Sequence, residues 1–169
     1  MCYPWIAALC VAGCSQVPLA SMVELARFDP LQTDLAGITV AVDVTEGLRV
    51  APDGAIMVLA AQAPSGASVS ERFVLDQAAV SETRWFFGVA PQDAARLERA
   101  RQQIVALKAE DPATAGQLSV TAEPCRAVAG AGGTVDVFLQ LAADRPFVPV
   151  APTVDLEDEG VPVPRCEGM

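Results

Sequence analysis

Pro91-Gln92-Asp93-Ala94-Ala95-Arg96-Leu97-Glu98-Arg99-Ala100-Arg101-Gln102-Gln103-Ile104-Val105-Ala106-Leu107-Lys108-Ala109-Glu110 is the stretch from which the fold is read. Ala94, Leu97, Ala100, Ile104 and Leu107 recur at spacings of three or four, which predicts a helix with a single apolar face. Pro91 suits the first helical position, and Asp93 sits near the positive end of the helix dipole. Asp93 with Arg96, and Glu98 with Arg101, are pairs three residues apart, worth a few tenths of a kcal/mol each. Asp111-Pro112 ends the run, because the residue before a proline is pushed out of helical geometry.

On both sides of this helix the period falls from 3.6 to two. Ile38, Val40, Val42 and Val44 alternate with Thr39, Ala41 and Asp43. Glu46-Gly47 and Pro52-Asp53-Gly54 read as turns. Between them and Pro64-Ser65-Gly66 lies Ala55-Ile56-Met57-Val58-Leu59-Ala60-Ala61, a short unbroken apolar run expected as a central strand covered on both faces. Val69, Glu71, Phe73 and Leu75 alternate with Arg72, Val74 and Asp76, and Trp85-Phe86-Phe87-Gly88-Val89 is a further β-rich run. After the helix, Leu118, Val120 and Ala122 form one alternation, and Val135, Val137, Leu139 and Leu141 another. Phe147-Val148-Pro149-Val150 is an edge strand, since proline cannot sit in the middle of a sheet. The expected fold is therefore α+β: a mostly antiparallel sheet of about six or seven strands with one long helix packed on it, inserted between the fourth and fifth strands. The alternative is a β-sandwich with the helix as a peripheral cap.

The chain of 169 residues is 52% apolar but only 5% aromatic, so aliphatic side chains must fill the core. Acidic residues number 21 against 11 basic ones, a net charge of −10, which argues against nucleic acid as a partner. There is no histidine, which excludes Ser-His-Asp and Cys-His catalysis and histidine metal ligands.

None of residues 1–23 is charged, and the apolar segment Ile6-Ala7-Ala8-Leu9-Cys10-Val11-Ala12 is shorter than the roughly 20 residues a membrane span needs. It reads as the hydrophobic region of a secretory signal. Val11-Ala12-Gly13-Cys14 resembles the lipobox of bacterial lipoproteins. The resemblance implies that residues 1–13 are removed and that Cys14 becomes an acylated N-terminus. The protein would then be lipid-anchored in the cell envelope, facing the periplasm, and Ser15 after the cysteine resembles the class sorted to the outer membrane. In general character the chain also resembles small Ala-, Val- and Arg-rich proteobacterial lipoproteins without an assigned activity. The expected organisation is a signal peptide (1–13), a lipidated Cys14 with a tether (14–35), a domain (36–150), and a Pro-rich acidic tail (151–169). If Cys14 carries lipid and Cys2 and Cys10 leave with the signal, Cys125 and Cys166 remain as a pair expected to form a disulfide in an oxidising compartment. That bridge closes a loop of about 40 residues, worth roughly 4 kcal/mol in the chain-entropy model, and pins the tail. Two free thiols are the alternative.

Several stretches are weighed as sites. Gly130-Ala131-Gly132-Gly133 lacks the Lys-Ser/Thr ending of a phosphate loop and reads as a hairpin loop. Asp155, Glu157, Asp158 and Glu159 lack the ligand spacing of a calcium loop, so no metal and no cofactor is expected. Lys108 is the sole lysine and belongs to no Ser-x-x-Lys motif, so no catalytic constellation is legible. Trp85 and Phe87 share one face of their strand, and Arg96, Arg99, Arg101 and Lys108 make the helix locally basic. Trp85, Phe87, Arg96, Arg99 and Arg101 are the candidate interaction surface, set against a plainer reading as core and solvated helix face.

Three functions follow. The first is a non-catalytic lipid-anchored envelope protein that binds or helps assemble another envelope protein through a sheet edge or the arginine-bearing helix face. The second is a lipoprotein that binds a small ligand between sheet and helix. The third is a carboxylate-dependent hydrolase. An open apolar cavity favours the second, and two converging buried acids favour the third.

Overall fold

The structure is a computed structural model, which describes residues 35–150, 152–158, 160 and 162–166. The expected signal, Cys14 and the tether up to residue 34 lie outside the described residues.

Eight strands and one α-helix are formed by the described residues. The strands are β1 (Thr39–Val44), β2 (Leu48–Gln62), β3 (Ser68–Ser81), β4 (Arg84–Val89), β5 (Ala115–Arg126), β6 (Thr134–Gln140), β7 (Val148–Pro149) and β8 (Val154–Asp155). A 3₁₀ turn, Pro91–Asp93, runs straight into the helix α1 (Ala94–Glu110), which lies between the fourth and fifth strands. All strand pairings are antiparallel, in the order β5-β2-β3-β4-β1-β6-β7, with β8 beside β6. The result is a single curled sheet of seven to eight strands with one helix.

The curl comes from strands that change partners. β1 and β2 are consecutive but do not pair with each other; β1 pairs with β6 and β4, and β2 with β5 and β3. Thus β1-β2 and β5-β6 form one long two-stranded ribbon that breaks at the same place in both arms, at Thr45–Gly47 and at Ala127–Gly133. The glycine-rich segment is therefore a corner rather than the hairpin loop expected from sequence. Gly133 sits there at φ +124°, where an added Cβ would lie 2.7 Å from Cβ of Thr45. The Thr134 N–H donates to Oγ1 of Thr45 at 2.9 Å, locking the two corners together. β3 completes the fold-over: its Ser68–Val74 half pairs with β2 and its Leu75–Ser81 half with β4. Such strands that switch partners make the corners of orthogonally packed sheets.

The core fills the inside of the curl. Val40, Val42, Met57, Leu59, Phe73, Leu75 and Phe87 project inward, and Leu97, Ala100 and Ile104 of α1 join them. Ala94 and Leu107, at the ends of the predicted apolar stripe, are half-buried. Both predicted charged pairs form, Arg96 Nε to Asp93 Oδ1 at 3.1 Å and Arg101 Nε to Glu98 Oε2 at 2.7 Å. β7 is an edge strand of two residues, shorter than the expected 147–150, and its Pro149 suits that edge position.

The carboxy-terminal stretch is part of the domain. Leu156 and Val163 are buried in the core, β8 pairs with β6, and the Cys166 N–H donates to the Arg126 carbonyl at 3.1 Å. Cys125 and Cys166 form a disulfide with their Cα atoms 4.9 Å apart.

Candidate functional site

Pro52-Asp53-Gly54, read from sequence as a turn, lies inside β2. Val50 pairs with Pro124 and Ala55 with Ala122, so four residues of β2 stand opposite the single residue Glu123. The turn chemistry is real but is spent on a bulge. Pro52 has no N–H to give the ladder, and Asp53 takes a left-handed conformation at φ +56°, which aspartate tolerates better than most residues. A Cβ on Gly54 would lie 2.9 Å from the Ala51 carbonyl oxygen, so the bulge closes only around glycine.

The bulge stands at a fork. From Ile56 onward β2 is paired with β3; before it, β2 follows β5 while β3 leaves to pair with β4. An open cleft of ≈ 350 Å³ lies in this fork. Its lining includes Val50 and Ala55 from β2, Leu75 from β3, Trp85 and Phe87 from β4, and the disulfide sulfurs' residues, Cys125 and Cys166. Arg49, Asp53, Asp76 and Gln77 supply its polar groups. Phe87 is buried and Leu75 is buried, so they form the floor, while Trp85 is half-exposed.

The two walls of the fork carry unpaired backbone. Among the described residues, Asp76–Ser81 of β3 pairs only with β4, and Leu48–Val50 of β2 only with β5. Each therefore presents one open strand edge. Asp76, Gln77, Ala78, Ala79, Val80 and Ser81 are all exposed.

The residues singled out from sequence divide. Trp85 and Phe87 both reach the cleft. The three arginines do not join them there; they lie along α1, which packs on β3, β2 and the short 3₁₀ turn Leu35–Gly37. Arg96 is held by Asp93 and by Glu71 at 2.9 Å, donates to the Arg72 carbonyl at 3.0 Å, and stacks 4.1 Å from the centroid of Phe73. The hydrogen bond to Asp93, then that to Glu71, raises its pKa further against a desolvation that lowers it. Arg101 is committed to Glu98, whereas Arg99 is exposed. Two of the four bases on the helix, Arg96 and Arg101, are thus paired with acidic neighbours. The cleft does not lie between sheet and helix, where a small-ligand pocket was expected.

Sequence reasoning missed Asp53, Asp76, Gln77 and the length of β3. The signal available was Gln77-Ala78-Ala79-Val80-Ser81, a charge-free run that leads to a two-residue turn, Glu82-Thr83, before Arg84. Its small residues carry no alternation, so period-two reading does not mark it as strand. Among the acidic residues near the carboxy terminus, Asp155 Oδ1 accepts from the N–H groups of Glu157 and Asp158 at 2.9 and 3.2 Å, an Asx-type turn. Glu159 lies outside the described residues. No cluster of three or more potential ligands is placed to hold a metal among the described residues, and no helix there is long and apolar enough to cross a membrane.

The fold and the cleft define a curled antiparallel-sheet domain with a forked strand edge. Compared with known protein families, curated proteins and solved structures, the chain matches none.

Proposed function

We propose that this chain is a non-catalytic binding module of α+β fold, lipid-anchored through Cys14 in the bacterial cell envelope, which takes up part of another envelope protein at the fork between β2 and β3. The observation that carries the binding reading is the coincidence of two open strand edges with an aromatic-floored cleft. Strand edges recognise polypeptide, because their unmet N–H and C=O groups match another backbone. The α+β assignment is supported by Leu97, Ala100 and Ile104 of α1, which are part of the core rather than a peripheral cap. The anchor rests on the lipobox resemblance and on the disulfide, which fits an oxidising compartment.

A small-ligand reading is favoured by the cleft volume of ≈ 350 Å³, at the low end of ligand sites. In-cell photo-cross-linking from position 77 separates the two. The binding-module reading expects a protein adduct from Gln77 and none from the same probe at Gln103 on α1, which is exposed. Equal adducts from both positions, or none while a small molecule co-purifies with the chain, would overturn it. For the anchor, Cys14→Ala should abolish metabolic labelling with a fatty acid; undiminished label would refute it.

A further inference from the structure

We propose that the fork binds its partner by strand addition. An extended peptide pairs with the free edge of β3 along Asp76–Ser81, places an apolar side chain in the cleft over Trp85 and Phe87, and sets a lysine or arginine against Asp76 and Asp53. This deepens the binding reading above and rests on it.

Among the described residues, the edge has the character of one open to addition. Exposed edges are normally guarded by lysines or prolines. The Gln77–Ser81 run has neither, and Ala78 and Ala79 leave its backbone uncovered. Val80 is 45% exposed, a large aliphatic side chain left in water on an edge strand. What guards exist are two acidic residues, Asp76 and Glu82 at the two ends, and a bulge at Ala78, which the ladder to β4 skips. Acidic ends select the occupant. A second copy paired antiparallel about Ala79 would set Asp76 against Glu82 at both ends, and like charges opposite each other are unfavourable. A basic strand meets the same groups with opposite sign. Asp53 and Asp76 have no ion partner among the described residues, and Arg49 is the one base lining the cleft. The net charge of −10 steers a cationic segment toward the molecule as a whole.

The geometry also explains why the cleft sits beside the edge. In an added strand alternate side chains point to opposite faces. One set is then solvated, and the other is directed toward the inner face that carries Leu75, Trp85 and Phe87. Pairing with β3 fixes the backbone, and the cleft reads one bulky side chain of the incoming segment.

The test uses the full chain and a blocked peptide, Lys-Thr-Val-Phe-Val-Thr-Lys, with two twins: one N-methylated at alternate amides, one with glutamate in place of both lysines. Binding is read by NMR shifts and amide exchange. The proposal expects slowed exchange confined to Asp76–Ser81 and a shifted Trp85 indole. Each twin should bind at least about tenfold more weakly at low salt, the first for lost backbone pairing and the second for reversed charge. Val80 is one step from the turn-closing Ser81–Arg84 pair, so its N–H points away from β4 in an alternating ladder. Val80→Pro should therefore weaken binding at least about tenfold while leaving the β1 and α1 resonances in place. Should that variant lose its fold, Asp76→Asn with Asp53→Asn gives the second measurement, a selective loss for the lysine peptide. Equal binding by the N-methylated twin, shifts centred on α1 or on β7, or no binding at millimolar peptide overturns strand addition. If these peptides fail while cross-linking from Gln77 still yields a protein adduct, the binding reading survives and strand addition does not.

Discussion

Glu98 shows how a surface charge becomes committed. Arg101 donates to both its oxygens, at 2.7 and 2.8 Å, and Gln102 Nε2 donates at 2.8 Å. The hydrogen bond from Arg101, then that from Gln102, lowers its pKa from 4.5 to about 2. Because the folded value is depressed, the stabilisation is complete above the ordinary glutamate range and is lost as pH falls from about 4.5 toward about 2. An NMR titration of the Glu98 carboxyl should have its midpoint near that low value, and Arg101→Ala should move it back upward. A midpoint in the ordinary range with Arg101 intact would show that the pair does not persist in water. A second residue-scale prediction concerns Gly133. Alanine there must adopt φ +124° and press on Thr45, so Gly133→Ala should cost about 2 kcal/mol in denaturant unfolding. In a Thr45→Gly background the steric part vanishes and only the backbone part remains, so a double-mutant cycle should show coupling. Additive costs would mean that the two corners do not touch.

At the scale of elements, the helix and the bulge represent opposite cases. The helix was legible because its signals agree: proline at the start, a 3.6-residue apolar repeat, charged pairs three apart, proline past the end. Ile104 sits at its centre, 1% exposed in the core. Ile104→Asp buries a charge without a partner and should cost roughly 4 kcal/mol. For a chain of this size that is a fall in melting temperature of about 10 °C. An unchanged melting temperature would mean that α1 is not docked on the sheet. The bulge in β2 was illegible for a physical reason. Pro-Asp-Gly gives the same local chain reversal tendency whether the strands beyond it pair with each other or with a third strand. Here β5 spans both sides of it, and the sequence of β2 carries no mark of that. Cross-strand ion pairing follows the same rule. Arg84 grips Asp43 through Nε and a terminal nitrogen, each at 2.5 Å, a bidentate pair set by the β1–β4 register that residues 41 apart in sequence do not announce. The bond to Asp43 raises the pKa of Arg84.

On the scale of the molecule, the disulfide joins β5 at the lining of the cleft to the carboxy-terminal stretch. Cys125 and Cys166 are 41 residues apart, so removing the bridge with Cys125→Ala and Cys166→Ala together should cost roughly 4 kcal/mol in the chain-entropy model. Leu156 and Val163 remain buried in the core, so the segment should loosen rather than detach. Hydrogen exchange should rise first in 152–166 and at Arg126, before α1. Uniform acceleration across the chain would mean that the segment is not a separable unit. The fork is likewise a whole-molecule feature, made where β3 changes partners midway from β2 to β4 while β2 stays with β5, a strand distant in sequence.

The amino-acid order by itself determined the helix, most strand positions, the acidic balance and the absence of imidazole chemistry, because periodicity, capping and composition act within a few residues or need no geometry at all. It also isolated Cys125 and Cys166 as a pair once the lipobox was read, and marked Trp85 and Phe87 on a shared face. Only the tertiary structure decided which strands lie side by side, that Pro52-Asp53-Gly54 bulges instead of turning, and that, among the described residues, two strand edges remain open around those aromatics. Strand pairing joins backbones, and backbones are alike at every residue. Its choice is made by the packing of the whole core.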